Sequence, residues 1–181
     1  MDAAPAPVSI RPATQDDLPA LAAMHVKSWQ QAYAGLLDQA YLDALDVSQR
    51  QENWRKMLAG DKGVILLAWA QSGENGEETL AGFLAYNPPR EKAPDGCDIE
   101  ICAIYALQDY WSKGIGYKLF SAAMARFKVS GRQRAYLWVL DGNRRAIDAY
   151  TRWGGALQPG HMDLQIGGRD LRELCIVFNV S

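Results

Sequence analysis

The sequence predicts a mixed α/β fold, a sheet covered by helices, on three observations. Short runs rich in β-branched and aromatic residues open the chain, recur as a hairpin and close it. In the centre, "CDIEICAIYAL" and "RAYLWVL" each lead through a turn into an apolar-striped helical segment. No internal repeat or low-complexity tract interrupts this order, so one domain over residues 8–181 is expected behind a loose Ala/Pro-rich tail, 1–7.

Each element has its own signal. "VSIRPA" alternates as an opening strand. In "TQDDLPALAAMHVKSWQQAY", Thr14 or Asp16 can cap a helix whose face gathers Leu18, Leu21, Ala22, His25 and Trp29. Residues 38–58 read as further helix. "GVILLAWA" and "TLAGFLAY", joined by the Gly-rich "QSGENGEE", form a hairpin pattern. "CDIEICAIYAL" is apolar enough for burial on both faces, hence central in the sheet. Ile115, Leu119, Phe120, Ala123, Met124 and Phe127 stripe the next helix. "NRRAIDAYTRW" follows the strand Arg134 to Leu140, with Asn143 as N-cap and Gly154 and Gly155 at its end. "LRELCIVFNV" closes the chain as a strand that is able to pair across a homodimer.

Bulk properties exclude several function classes. With 19 basic and 21 acidic residues the net charge is -2, which gives nucleic acid no electrostatic invitation. The three cysteines form no CxxC pair, so neither a disulfide framework nor a thiolate zinc site is indicated. His25 reads as a packing residue and His161 follows a Pro-Gly turn, which leaves no metal site. "MDAAPAPVS" has no signal-peptide core, and the longest apolar run, Val64 to Ala70, is too short to span a bilayer. A cytoplasmic protein without membrane attachment is expected.

The stretch "WSKGIGYKLF" carries the chemistry. A strand feeding a glycine turn that opens a helix presents free backbone N–H groups at the positive end of the helix dipole, which suits a phosphorylated ligand. Gly114 and Gly116 permit close approach or a positive φ, while Ser112 and Lys113 add donors beside Ile115 and Tyr117. "GIGYKL" lacks the third glycine of GxGxxG, and no GxxxxGK[ST] is present, so a dinucleotide or nucleoside triphosphate fits less well.

Taken together, "DIEICAIYALQDYWSKGIGYKLFSAAM" and "LWVLDGNRRAIDAYTRWGG" resemble the acetyl-CoA-binding core of the GNAT superfamily of N-acetyltransferases. "VSIRPATQDDLPAL" and "SWQQAYAGLL" are similar to its first strand and helix. The resemblance implies a splayed mixed sheet of six to seven strands with helices on both faces. It also implies acetyl-CoA as co-substrate, lying between the strand that ends at Ala106 and the strand from Arg134. The backbone of Ile104, Tyr105 and Ala106 would then pair with the pantetheine arm, and residues 112–117 would hold the pyrophosphate. Asn143 and Tyr150 would flank the thioester. The chain departs from the family pattern at Trp111, which stands where Arg or Gln is usual, and at Gln108, where Pro is common. Trp138 takes the place of a glutamate found in the ribosomal-protein branch.

The expected reaction is acetyl transfer to a primary amine of a small molecule or protein. An amine with a pKa near that of lysine, about 10.4, is mostly protonated at neutral pH and must lose a proton to attack. Glu100 is the candidate base, through water, with Asp98 as the alternative. Tyr150, seven residues after Asn143 and on the same helical face, is the candidate proton donor to the leaving thiolate. Trp29 and Tyr33, four apart, are candidates for lining the acceptor pocket. A non-catalytic acyl-CoA-binding regulator on the same fold is the alternative reading.

Overall fold

The computed structural model of the protein describes residues 7–60, 63–72, 77–90 and 93–180. All but Pro7 of the expected tail, and the tip of the expected hairpin turn at residues 73–76, lie outside these. The strands are β1 (Val8–Pro12), β2 (Val64–Ser72), β3 (Glu77–Asn87), β4 (Ile99–Ala106), β5 (Arg134–Leu140), β6 (Ala156–Leu157), β7 (Met162–Ile166) and β8 (Arg169–Asn179). Their order in the sheet is β1-β2-β3-β4-β5-β8-β6, with β7 paired to β8. Among the described strands only β4 and β5 run parallel.

Eight strands are therefore seen among the described residues, where six to seven were expected. The additions are β6, two residues set against β8 just beyond a glycine pair, and β7, whose "MDLQI" alternates between half-buried and exposed. Both depend on β8 as a partner, which local pattern does not reveal.

Helices cover both faces. On one lie α1 (Leu18–Ala32) and α3 (Val47–Ala59), linked through α2 (Gln39–Asp43); there Leu18, Leu21, Met24 and Trp54 pack on Ile65, Leu67 and Phe83. On the other lie α4 (Ile115–Val129) and α5 (Arg144–Arg152); there Leu119, Phe120, Phe127 and Tyr150 meet Leu66, Leu84, Leu137 and Phe178. The further helix expected over 38–58 comes in two pieces, because Asp38 and Asp46 each cap a separate start, accepting from Ala40 N at 2.8 Å and Gln49 N at 3.1 Å. Before α1, the Asp17 carboxylate binds Thr14 N at 2.7 Å and Thr14 Oγ1 at 2.9 Å, and accepts two bonds from Arg11. The hydrogen bonds from Arg11 hold it well below the usual carboxylate range.

His25 packs as expected. Its Nδ1 accepts from Trp54 Nε1 at 3.1 Å, and its ring sits among Trp29, Trp54, Phe83 and Tyr105. Burial lowers its pKa to about 3, so it is neutral across the physiological range.

Candidate active site

A cleft opens where β4 and β5 part. The strands pair at Ile99–Ala135 and Glu100–Tyr136 and not beyond, although β4 runs on to Ala106 and β5 to Leu140. The register with β3 explains the divergence. Ala85 pairs Ala103 while Tyr86 pairs Ile101, leaving Cys102 as an extra residue. Such a bulge bends the strand and adds twist. The other edge of β4, past Glu100, has no strand neighbour. A cavity of about 300 Å³ fills the gap, walled by Cys102 to Ala106, by residues 110–117 apart from Lys113, and by the face of the α5 region that carries Asn143, Ala146, Tyr150 and Trp153.

At one end of the cleft stands the glycine turn. Gly114 is the N-cap of α4 with φ 81°, and Ser112 before it has φ 59°, in the left-handed region that non-glycine residues rarely occupy. Strain of this kind clusters at ligand clamps. The first helical bond runs from Lys118 N to Gly114 O at 2.9 Å, so the N–H groups of Ile115, Gly116 and Tyr117 have no partner within the helix. The two glycines do different work. Gly114 supplies the backbone angle, with open space around it, whereas a Cβ on Gly116 would lie 3.1 Å from the Trp153 ring. Close packing of α4 on α5, as well as access for a phosphate, therefore explains the second glycine. This cradle suits a pyrophosphate, and the open edge of β4 suits an extended amide chain that pairs as a strand would.

Trp111 has an evident task here. Its Nε1 donates to Ala106 O at 2.9 Å, tying the turn to the end of β4. The Arg145 guanidinium lies 3.6 Å from the centre of its ring. Arg145 forms no ion pair among the described residues, and partial desolvation of its guanidinium lowers its pKa. Local sequence pattern does not single out Arg145 from its neighbours Arg144 and Arg152. Its position two residues after the N-cap, beside the cleft, was the available signal.

Deeper in, Asn143 Oδ1 caps α5 through Ala146 N at 3.3 Å, and Tyr150 lies one face along that helix, 8% exposed. Burial raises the Tyr150 phenol well above its ordinary value, with Arg145 nearby opposing the shift. It is a neutral hydroxyl at any working pH. Tyr33 reaches the cleft from the end of α1, its hydroxyl 2.8 Å from that of Tyr105.

The structure thus brings together Tyr33, Ile104, Tyr105, Ala106, Ser112, Gly114, Ile115, Gly116, Tyr117, Asn143 and Tyr150. Three expected site residues stand apart. Lys113 is not on the cleft wall, and its ammonium lies 5.8 Å from the Tyr110 ring centre. Trp29 stands behind Tyr33, ring centres 5.0 Å apart, with Arg50 over its face at 4.5 Å. Glu100, expected as the base acting through water, is 1% exposed and already engaged: Arg90 Nε reaches both carboxylate oxygens at 3.0 and 2.9 Å, and Tyr136 Oη donates at 3.0 Å. Alternation places it on the sheet face, but it does not disclose a partner ten residues upstream in the Pro-rich loop. Asp98, the alternative, accepts from Gln133 N at 2.9 Å and Arg134 N at 3.3 Å, fixing the start of β5. Among the described residues no cluster of three or more metal-ligating side chains occurs, and no helix is long and apolar enough to cross a membrane.

Comparison with known proteins agrees with this architecture. The model of the acetyltransferase (GNAT) family matches residues 24–155. A Bacillus subtilis (strain 168) protein named as the uncharacterized N-acetyltransferase YuaI is 26% identical over 140 residues, covering 77% of this chain and 76% of its own. The fold is similar to that of the PaiA N-acetyltransferase of Thermoplasma acidophilum, solved with coenzyme A, at a TM-score of 0.72, 20% identity and coverage of 96% of this chain and 99% of that one. It is similar also to Arabidopsis thaliana NAA60, solved with a bisubstrate analogue, at a TM-score of 0.75, 17% identity and coverage of 96% and 98%.

Proposed function

The chain belongs to the GNAT acetyltransferase family, and from that premise we propose that it transfers the acetyl group of acetyl-CoA to a primary amine of a small molecule or protein. The observation that carries this reading is the parting of β4 and β5 over a cleft with the strained glycine turn at one end and Tyr150 within it. The names of the two fold neighbours, one with coenzyme A and one with a bisubstrate analogue, support the choice of co-substrate.

In this reading the N–H groups of Ile115, Gly116 and Tyr117 grip the pyrophosphate, helped by Ser112 and by the α4 dipole. The backbone of Ile104, Tyr105 and Ala106 receives the pantetheine arm on the edge that β5 leaves open. Trp111 already takes the Ala106 carbonyl, so the pairing there falls mainly to the two preceding residues. Asn143 flanks the thioester end. A backbone N–H near the end of β4 meets the thioester oxygen as negative charge develops on it, the larger electrostatic contribution in acyl transfer.

Tyr150 acts on the leaving group. A thiolate leaves more easily when protonated, and a phenol kept neutral by burial holds the needed proton. Arg145 offsets the cost of transient phenolate character beside it. Glu100 serves the site indirectly, by holding both Arg90 and Tyr136. The acceptor approaches past Tyr33 and Tyr105, whose rings form an amphipathic wall, with Trp29 fixing Tyr33 from behind.

The test is CoA release, followed with a thiol reagent, while acetyl-CoA is offered spermidine, a lysine-containing peptide and a peptide with a free α-amino group. Amine-dependent release by the wild type, lost in Tyr150→Phe, is expected. Binding of acetyl-CoA without amine-dependent release from any of the three would overturn the transferase reading.

A further inference from the structure

The sheet face turned away from α4 and α5 carries an acid that neither the cleft nor any ion pair uses. On β8, Leu174, Ile176 and Phe178 point into the α4 side, while Cys175 and Val177 pack with Tyr136 on the opposite side. Alternation places Glu173 on that second side, with Cys175. Its Cα partner across the ladder is Leu140, the last residue of β5, and Leu140 packs in one cluster with Tyr33 and Tyr105. Glu173 therefore stands where β5 runs out into the Asp141–Gly142–Asn143 turn, next to the aromatic wall that the acceptor must pass.

We propose that Glu173 is the carboxylate that receives the acceptor's ammonium group and takes its proton before attack. The inference rests on the transferase reading and names the base that reading lacks once Glu100 is committed to Arg90. Glu173 is half-buried, yet it makes no hydrogen bond and no ion pair with any described residue. A half-buried carboxylate without a partner is costly unless something cationic visits it. Its neighbours explain why no internal cation has claimed it. Arg90, from the β3–β4 connection, turns Nε and Nη2 to Glu100 of β4 and acts on Glu173 only as a nearby charge, and Tyr136 of β5 is bonded to Glu100 as well. Tyr33, from α1, pairs with Tyr105. On the β7 side its Cα partner is Met162, which is uncharged. Burial raises the Glu173 pKa above the ordinary carboxylate value, Arg90 opposes this and Glu100 adds to it; the upward direction is the one a proton acceptor needs.

The step balances. The ammonium gives one proton to Glu173, and the neutral nitrogen forms its bond to the acetyl carbonyl carbon as the carbon–sulfur bond breaks. Tyr150 passes its proton to the departing sulfur and regains one from the amide nitrogen. Glu173 then releases its proton to solvent. The sum is amide, free CoA and one proton.

The experiment compares wild type, Glu173→Gln and Glu173→Asp in the same amine panel from pH 5.5 to 9 (roughly the span in which a base of raised pKa reports), with acetyl-CoA binding measured in parallel by calorimetry. The expected result is undiminished acetyl-CoA affinity for Glu173→Gln, kcat/KM lower by about a hundredfold at neutral pH, and loss of the acid limb of the pH profile. Glu173→Asp, which keeps the carboxylate, should recover part of the rate and retain the limb. A Glu173→Gln protein that binds acetyl-CoA, keeps kcat/KM within about threefold of wild type and shows the same acid limb would overturn the assignment while leaving the transferase reading in place. If the wild type binds acetyl-CoA but acetylates none of the three amines, both readings fall together.

Discussion

The Arg145 guanidinium lies 3.6 Å from the ring centre of Trp111, and the Trp111 indole in turn holds the Ala106 carbonyl at 2.9 Å. One residue thus links α5, the glycine turn and the end of β4 around the mouth of the cleft. The tryptophan that replaces the usual Arg or Gln does not leave a gap; it recruits a cation from the neighbouring helix. Trp111→Ala removes both the hydrogen bond and the cation–π contact, each worth about 1 kcal/mol. Acetyl-CoA affinity is expected to fall by roughly tenfold or more, read by calorimetry, and Arg145→Ala should reproduce part of that loss.

Tyr150→Phe removes one oxygen from a residue 8% exposed and leaves the packing with Trp153 intact. The expected outcome is a kcat lower by about two orders of magnitude with acetyl-CoA affinity unchanged, the pattern of a group that acts only as the reaction proceeds. Steady-state kinetics alongside a binding titration checks it.

The two glycines of the turn should fail in different ways. Gly114→Ala forces a φ of 81° on a residue with a Cβ that has ample room, so about 1–2 kcal/mol of strain is expected without a steric clash. Gly116→Ala instead presses on the Trp153 ring from 3.1 Å, and should shift the Trp153 fluorescence as well as the urea midpoint. Comparing urea midpoints with emission spectra for the two variants separates these causes.

Glu100→Gln is expected to act on stability rather than on the chemical step. It weakens the bonds to Arg90 and Tyr136, at a cost of about 1–2 kcal/mol; the Arg90 side chain is 62% exposed, which keeps the figure below that of a fully buried pair. Urea unfolding together with kcat gives the answer, and a rate loss far exceeding the stability loss would return Glu100 to the catalytic role.

His25 makes stability depend on pH with a definite sign. The folded pKa, lowered by burial to about 3, lies below the unfolded value of about 6.5. The stabilisation is therefore complete above pH 6.5 and is lost as pH falls from there toward 3. The slope is about 1.4 kcal/mol per unit, so about 2 kcal/mol should disappear between pH 7 and pH 5. His25→Gln, which still offers Trp54 an acceptor but cannot titrate, should flatten that slope in urea titrations.

Much of this was legible in the sequence because it depends on local pattern. The glycine turn, the Asn143 cap and the apolar stripe of α4 are set by residues close together in the chain, and they place most of the cleft wall. What escaped depends on distant partners. β6 and β7 exist only because β8 receives them, and Glu100 differs from a free acid only because Arg90 folds back from the loop before β4. Local pattern makes Glu173 one charge in a closing strand; only the β5–β8 register sets it beside Leu140 and the Tyr33–Tyr105 pair.

The most direct test of the central claim, that the gap between β4 and β5 is an acetyl-CoA site, is a calorimetric titration of the folded protein with acetyl-CoA, and with ATP and NAD as controls. Saturable binding of acetyl-CoA at one site per chain, weakened in Trp111→Ala and absent for both controls, is the predicted result. No heat with acetyl-CoA from protein shown to be folded, or equal binding of ATP, would contradict it.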